Sequence, residues 1–358
     1  MKKHRTGNTK ALGYFNLLRG YGIFFVLLFH TCLLYFERNL EADNKLTING
    51  AGLMAMFFIV SGYGFFKRKP LRCFKMQFKL IMVPYIWMCS LVLIERIIYD
   101  LIRGIPFEKN GGSLVLTYLF GLCVNPERKV AGFPVSFVGL FWFLLALFTG
   151  WIIYNLISQI KNQKIAVCCV ILSVFLGWLL PKFTDLWPYC IPQGLLTVGF
   201  LYLGEYIRKT KLLERSFPPV VYAIVLLWIG ISEIYGGGDM GTNYWRLGLF
   251  DVISAALLGM LFVHLYFKIY PYIPNNKVAE LVETVGGESF MFFCIHGLER
   301  VIIPWYVIQR YISNPVLGTG LYFFLRCVVV FSIYKVIKKI QQFIKPGRMR
   351  KKTKITLD

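Results

Sequence analysis

The sequence predicts an all-α, polytopic membrane bundle of about ten transmembrane helices, and three observations predict it. Of 358 residues, 57% are hydrophobic and only 16% are charged, against about a quarter charged in a soluble domain. The apolar runs follow one another from Tyr14 to Tyr334 with no soluble-sized interruption. The basic residues, which give a net charge of +22, sit in short clusters between those runs, the pattern of cytoplasmic loops. That distribution argues against a nucleic-acid partner, which a basic chain otherwise suggests. A single soluble core has no means of hiding this much apolar surface, whereas lipid accepts it.

A spanning helix needs about 20 mainly apolar residues. The stretches 14–36, 50–66, 78–99, 136–159, 165–181, 191–207, 218–235, 246–268, 288–308 and 316–340 answer to this. The second, fifth and sixth are short. The run Ser113–Val124 is too short to span and reads as an interfacial or re-entrant helix. The first stretch follows a basic N-terminus but exceeds the roughly 7–15 residues of a signal-peptide core, and no small-residue cleavage site follows it, so it reads as a retained helix. With the N-terminus in the cytoplasm, 28 of the 40 Lys and Arg fall in inside segments and eight in outside ones. Both termini are therefore expected to be cytoplasmic. The whole chain, 1–358, reads as one membrane domain with its core at 14–340 and a basic cytoplasmic tail at 341–358, placed against anionic lipid headgroups. The nine cysteines show no metal or disulfide spacing, and most read as small buried hydrophobes; no metal is expected.

Ionisable groups inside spans are costly and tend to mark function. Here they are Arg19, His30, Glu95, Arg96, Glu205, Glu233, Asp251, His264, His296, Glu299, Arg300 and Arg326. Arg19 and His30 are eleven residues apart, which is roughly 16 Å along a helix and nearly the same helical face. One face of the first helix thus carries a cation at the cytoplasmic mouth and an imidazole three turns deeper. An Arg at the mouth suits the phosphates of an acyl-CoA, and a deeper His suits proton abstraction from an acceptor hydroxyl. Taken alone, Arg19 also fits a side chain snorkelling to the interface, and a lone His fits packing. His296, about two turns into its helix, is open to three readings: orienting a partner, touching the acyl donor, or bonding a neighbouring helix. His264 reads as interfacial, and Glu95–Arg96 and Glu299–Arg300 as local ion pairs near the bundle surface.

Four segments resemble the acyltransferase-3 family of membrane O-acyltransferases. They are YFNLLRGYGIFFVLLFH (Tyr14–His30), similar to the family's Arg-x10-His signature; FFIVSGYGFFKR (Phe57–Arg68), similar to its Ser-Gly-aromatic segment; LFWFLLALF (Leu140–Phe148), similar to its Trp-Phe-Leu helix; and GGESFMFFCIH (Gly286–His296), similar to its late Ser-to-His helix start, here Ser289 to His296. They lie in the family's order and spread over nearly the whole chain. Two positions depart from the pattern: Asn16 stands where an acid often precedes the Arg, and Leu140–Phe141 stand where a polar residue often precedes the Trp-Phe-Leu segment. The resemblance implies transfer of an acyl group, usually acetyl, from cytoplasmic acyl-CoA as co-substrate, with no bound cofactor, to a carbohydrate hydroxyl at or beyond the outer face. It implies His30 as the catalytic residue and places Arg19, Ser61, Lys67, Arg68 and Arg72 along the donor's entry. Those last three also read as topology determinants. Asn16, Trp142 and His296 are the supporting positions.

The expected location is the plasma membrane, with lipids and polysaccharide-synthesis proteins as partners. The chain ends soon after the last predicted span, which leads to the expectation that the membrane domain itself engages the acceptor. The loop Asp100–Ser136 would offer the sugar its largest surface, with Trp187 and Tyr244–Trp245 as stacking platforms. Ten spans with buried charges also fit an exporter of polysaccharide or lipid-linked sugar, which predicts two similar halves with broken helices; no such repeat is visible. A sensor or assembly scaffold is the third reading.

Overall fold

The computed structural model describes residues 12–36, 50–104, 107–130, 132–184, 186–305, 307, 311, 312 and 314–344. Thirteen α-helices are found there: α1 (Asn16–Phe36), α2 (Gly50–Tyr63), α3 (Pro70–Gln77), α4 (Val83–Ile102), α5 (Phe107–Phe120), α6 (Trp142–Ile157), α7 (Gln163–Leu179), α8 (Ile191–Thr210), α9 (Pro219–Tyr235), α10 (Leu249–Ile269), α11 (Lys277–Gly287), α12 (Ser289–Ile302) and α13 (Pro315–Ile344). Six helical stretches are long and apolar enough to cross a membrane: Leu12–Cys32, Pro70–Ile102, Gly139–Ile157, Gln163–Lys182, Leu249–Tyr272 and Pro315–Phe343. The fold is that of a helical membrane protein.

Six of the ten expected spans are therefore met by length and composition, and the other four are helical but shorter or more polar. α2 and α9 are apolar but of 14 and 17 residues. α8 carries Glu205, Arg208 and Lys209 in its last turns. α12 stops at Ile302, short of the expected 308, and α13 runs to Ile344, four residues into the segment assigned to the tail. The basic residues 2–10 and 345–354 lie outside the described residues.

Three features depart from the sequence reading. Two small antiparallel hairpins stand in an otherwise helical chain: Cys123–Val130 (β1) with Phe133–Phe137 (β2), and Gly238–Asp239 (β3) with Tyr244–Trp245 (β4). The short apolar run expected at 113–124 is α5, at Phe107–Phe120, and together with the first hairpin it fills the large loop. The basic segment 67–79, expected as a loop, is mostly helix: α3 passes into α4 through a π turn at Phe78–Met82. Pro84, in the first turn of α4, has no N–H and its ring conflicts with the carbonyl four residues back. The wider turn, in which the Val83 N–H reaches back to the Phe78 carbonyl, accommodates this.

α8 is the hub, packed against α2, α6 and α7. α1 packs most closely on α11. A Cβ on Gly286 would meet the Asn16 carbonyl oxygen at 1.6 Å, and one on Gly20 would meet the Val282 carbonyl oxygen at 2.0 Å. No side chain fits at either position, so these glycines set how near α11 stands to the Arg19 turn of α1.

Candidate functional site

α1 carries two sites, one at each end. Around its first turns lies a cavity of about 450 Å³, lined by α1, α2, the π turn, α6 and α12. Its walls are mostly apolar, among them Ile23, Phe57, Phe143 and Phe293; Arg19, Ser61, Gln77 and Ser289 supply the polar groups. Arg19 and Ser61, expected along a donor's entry, thus share one cavity. The Asn16 carboxamide accepts from Arg19 Nη2 at 2.5 Å. A neutral amide holds the guanidinium without cancelling its charge. Arg19 Nε is buried without a hydrogen-bond partner among the described residues. Trp151 Nε1 donates to Ser61 Oγ at 3.3 Å, which leaves the serine O–H free to donate elsewhere.

The basic cluster behaves differently from its expected role beside Arg19. Arg68 is pinned through its backbone: its N–H donates to Asn155 Oδ1 at 3.0 Å, and its carbonyl accepts from Asn155 Nδ2 at 3.0 Å and Gln159 Nε2 at 3.1 Å. Lys67 lines a separate recess of about 130 Å³ with Tyr154, Tyr202, Glu205 and Lys209. Arg72 lines a shallow one with Lys69 and Lys75. None of the three lines the Arg19 cavity; Lys67 and Arg68 precede α3, and Arg72 lies in its first turn. Trp142 is buried in the core beside Phe58 and Phe143, with ring centres 6.4 and 6.0 Å away.

At the other end of α1, the His30 and His296 rings lie 5.4 Å apart, tilted by 37°. Seven residues separate Ile23, on the cavity wall, from His30, which is roughly 10 Å along the same face. On α12, Phe293 lines the cavity and His296 follows three residues later. Both helices therefore run from the cavity toward the imidazole pair.

A dry ionic network surrounds this pair. Glu299 Oε1 accepts from His296 Nδ1 at 2.7 Å and from Arg326 Nε at 3.0 Å, and Trp305 Nε1 donates to Glu299 Oε2. Arg326 Nη1 donates to Thr31 Oγ1 at 3.2 Å, and Thr31 in turn donates to the Leu27 carbonyl at 2.7 Å. His296, Arg326 and Thr31 are fully buried and Glu299 is 1% exposed. Arg300 is exposed, and its Nη1 donates to Nδ1 of the half-buried His30 at 2.9 Å. The expected Glu299–Arg300 surface pair is therefore corrected. The two side chains point apart: Glu299 turns inward to α13 and Arg300 reaches α1.

Of the three readings of His296, the structure shows it one ring away from His30 and fixed by Glu299. Glu299, Arg300 and Arg326 stood in the sequence as costly charges, but their pairing was not read. The three-residue spacing of His296 and Glu299 puts both on one helix face, a signal that was available. The partner Arg326, 27 residues further on, left none.

Three further buried ionisable groups are tied locally. Asp251 accepts from Ser232 Oγ and the Leu247 N–H, each at 2.7 Å. His264 is buried, with Nε2 2.7 Å from the Tyr222 hydroxyl. Tyr154 donates to Glu205, which also pairs with Lys209 at 3.0 Å. Of the expected stacking platforms, Trp245 is excluded: it is buried, and its indole N–H donates to Asn243 Oδ1 at 2.6 Å. Tyr244 is exposed.

A family model described as an acyltransferase domain, the acyltransferase-3 family, matches residues 12–335. No curated protein and no solved structure matches the chain.

Proposed function

The chain belongs to the acyltransferase-3 family, which it matches from residue 12 to 335, and from that premise we propose that it moves an acetyl group from cytoplasmic acyl-CoA to a hydroxyl of a cell-surface or exported carbohydrate, with His30 as a catalytic residue. The observation that carries this reading is the cavity: it holds Arg19 and Ser61 and lies along the faces of α1 and α12 that lead to His30 and His296.

Its apolar length suits the thin pantetheine arm, and Arg19 suits a phosphate at the mouth. The ends of α1, α2 and α12 that build it adjoin the basic segment 67–79. The positive-inside distribution puts that end in the cytoplasm together with both termini, in a ten-span arrangement at the plasma membrane. The acceptor then meets the acyl group from the far side, at His30. Lys67, Arg68 and Arg72 serve topology, and long-range attraction of the anionic donor, rather than direct contact.

The test is the alkali-labile acetate on the envelope glycan of cells carrying His30→Ala. The variant is expected to lose acylation by roughly 10²–10³-fold, the range for removing one catalytic hydrogen-bonding group. Acylation at the level of the unaltered protein would overturn the role of His30. A deletion that stopped glycan export while leaving the exported glycan equally acylated would replace the whole reading with that of an exporter.

A further inference from the structure

Two contacts fix which nitrogen of each imidazole bears hydrogen. A guanidinium has only donors, so Arg300 makes His30 Nδ1 an acceptor at 2.9 Å. Neutral His30 then carries its proton on Nε2 and presents a donor there. Glu299 is held as a carboxylate by Arg326, whose Nη2 is 2.9 Å from Oε1, and by the Trp305 indole N–H. A carboxylate only accepts, so His296 Nδ1 carries the proton in the 2.7 Å contact. Neutral His296 therefore presents a lone pair at Nε2. That Nε2 is buried and has no hydrogen-bond partner among the described residues. A bare acceptor in a dry interior is costly to maintain, and its ring lies 5.4 Å from that of His30.

We propose that His296 is the proton acceptor of the transfer and that His30 acts through its Nε2–H as hydrogen-bond donor to the carbonyl oxygen of the thioester. This rests on the acyl-transfer reading above and divides its chemistry between two residues. The acceptor hydroxyl gives its proton to His296 Nε2 as its oxygen bonds to the thioester carbon. The carbonyl electron pair moves onto oxygen, where the His30 Nε2–H stabilises it. Collapse breaks the C–S bond, and the thiolate takes the proton back from His296. Glu299 is a positioning residue, fixing the tautomer that leaves Nε2 bare. For His30 to be the base its proton would have to sit on Nδ1, facing the Arg300 N–H donor.

Amide substitutions separate the roles, because the nitrogen of Asn overlays Nδ1 and that of Gln overlays Nε2. Membrane vesicles containing the full chain are given acetyl-CoA with a labelled acetyl group and the cells' envelope polysaccharide. His296→Asn keeps the donor to Glu299 and is expected to lose kcat by roughly 10²–10⁴-fold, with the KM for acetyl-CoA and the thermal unfolding temperature unchanged. His30→Gln keeps a donor at the Nε2 position and is expected to stay within about tenfold of the unaltered protein, while His30→Ala falls by roughly 10²–10³-fold. A His296→Asn variant within tenfold of the parent, or a His30→Gln variant as inactive as His30→Ala, overturns the assignment. Should His296→Asn fail to fold, the two His30 variants decide alone. Absence of transfer by the unaltered protein would sink the acyl-transfer reading instead.

Discussion

The two ends of α1 handle charge in opposite ways. At the Arg19 end a cation faces a mostly apolar cavity with, among the described residues, Asn16 as its side-chain hydrogen-bond partner and a bare Nε. At the His30 end, Glu299 and Arg326 are ion-paired and buried, and the imidazoles are each fixed at Nδ1 by a charged neighbour, with His296 Nε2 left bare among the described residues. Incomplete satisfaction suits a binding site, because an arriving anion completes the set. Fixed orientation suits chemistry, because groups already oriented need not reorganise as charge develops. One helix thus carries an incompletely paired cation and, roughly 16 Å away, a buried ionic network.

The largest expected effect is at the His30 end. Glu299→Ala leaves Arg326 buried without its counter-charge, and breaking such a pair from one side costs about 3–5 kcal/mol. Thermal unfolding in detergent should show a large drop and transfer should be lost. A stability equal to the unaltered protein would mean that the network is not held dry. Next comes the α1–α11 contact. Gly286→Ala places a methyl group against the Asn16 carbonyl oxygen. Overpacking of this kind costs about 1–3 kcal/mol, and the displaced Arg19 turn should weaken donor binding as well, seen as a higher KM beside a lower unfolding temperature.

Smaller effects are expected at the open end. Arg19→Ala removes one charge-assisted contact, worth about 1.5–3 kcal/mol. It should raise the KM for acyl-CoA about tenfold or more while changing stability little. An altered kcat with unchanged KM would separate Arg19 from donor binding. Smallest is Arg72→Ala, whose side chain lies outside the cavity. It should change KM by less than about threefold, and that change should fade in salt, as screened attraction does. A loss equal to that of Arg19→Ala would put Arg72 in direct contact with the donor.

Much of this site was legible in sequence because it rests on intervals along single helices. Arg19 to His30 is such an interval, and so are Ser289 to His296 and His296 to Glu299. Ser61 was flagged only by the resemblance of its segment, and it lines the same cavity as Arg19. The pairing of Glu299 with Arg326 and of Arg300 with His30 joins residues far apart in the chain, and a periodic pattern holds no information about which helix will face which. The basic segment shows the same limit. Lys67, Arg68 and Arg72 carry charge next to the motif, but which recess each side chain lines depends on contacts such as the grip of Asn155 and Gln159 on the Arg68 backbone, which no local pattern holds.

The sequence by itself determined the environment of this protein and which costly groups share one helical face. Apolar content and run length demand lipid. Helical geometry alone puts Arg19 and His30 on one face. The tertiary structure decided which of the costly charges find each other, where a cavity opens, and which nitrogen of each histidine is free. Those outcomes depend on packing angles between helices, such as the close approach of α11 to α1 that only Gly20 and Gly286 permit. They also depend on the absence of water, which makes the pairing of Glu299 with Arg326 obligatory once both are buried.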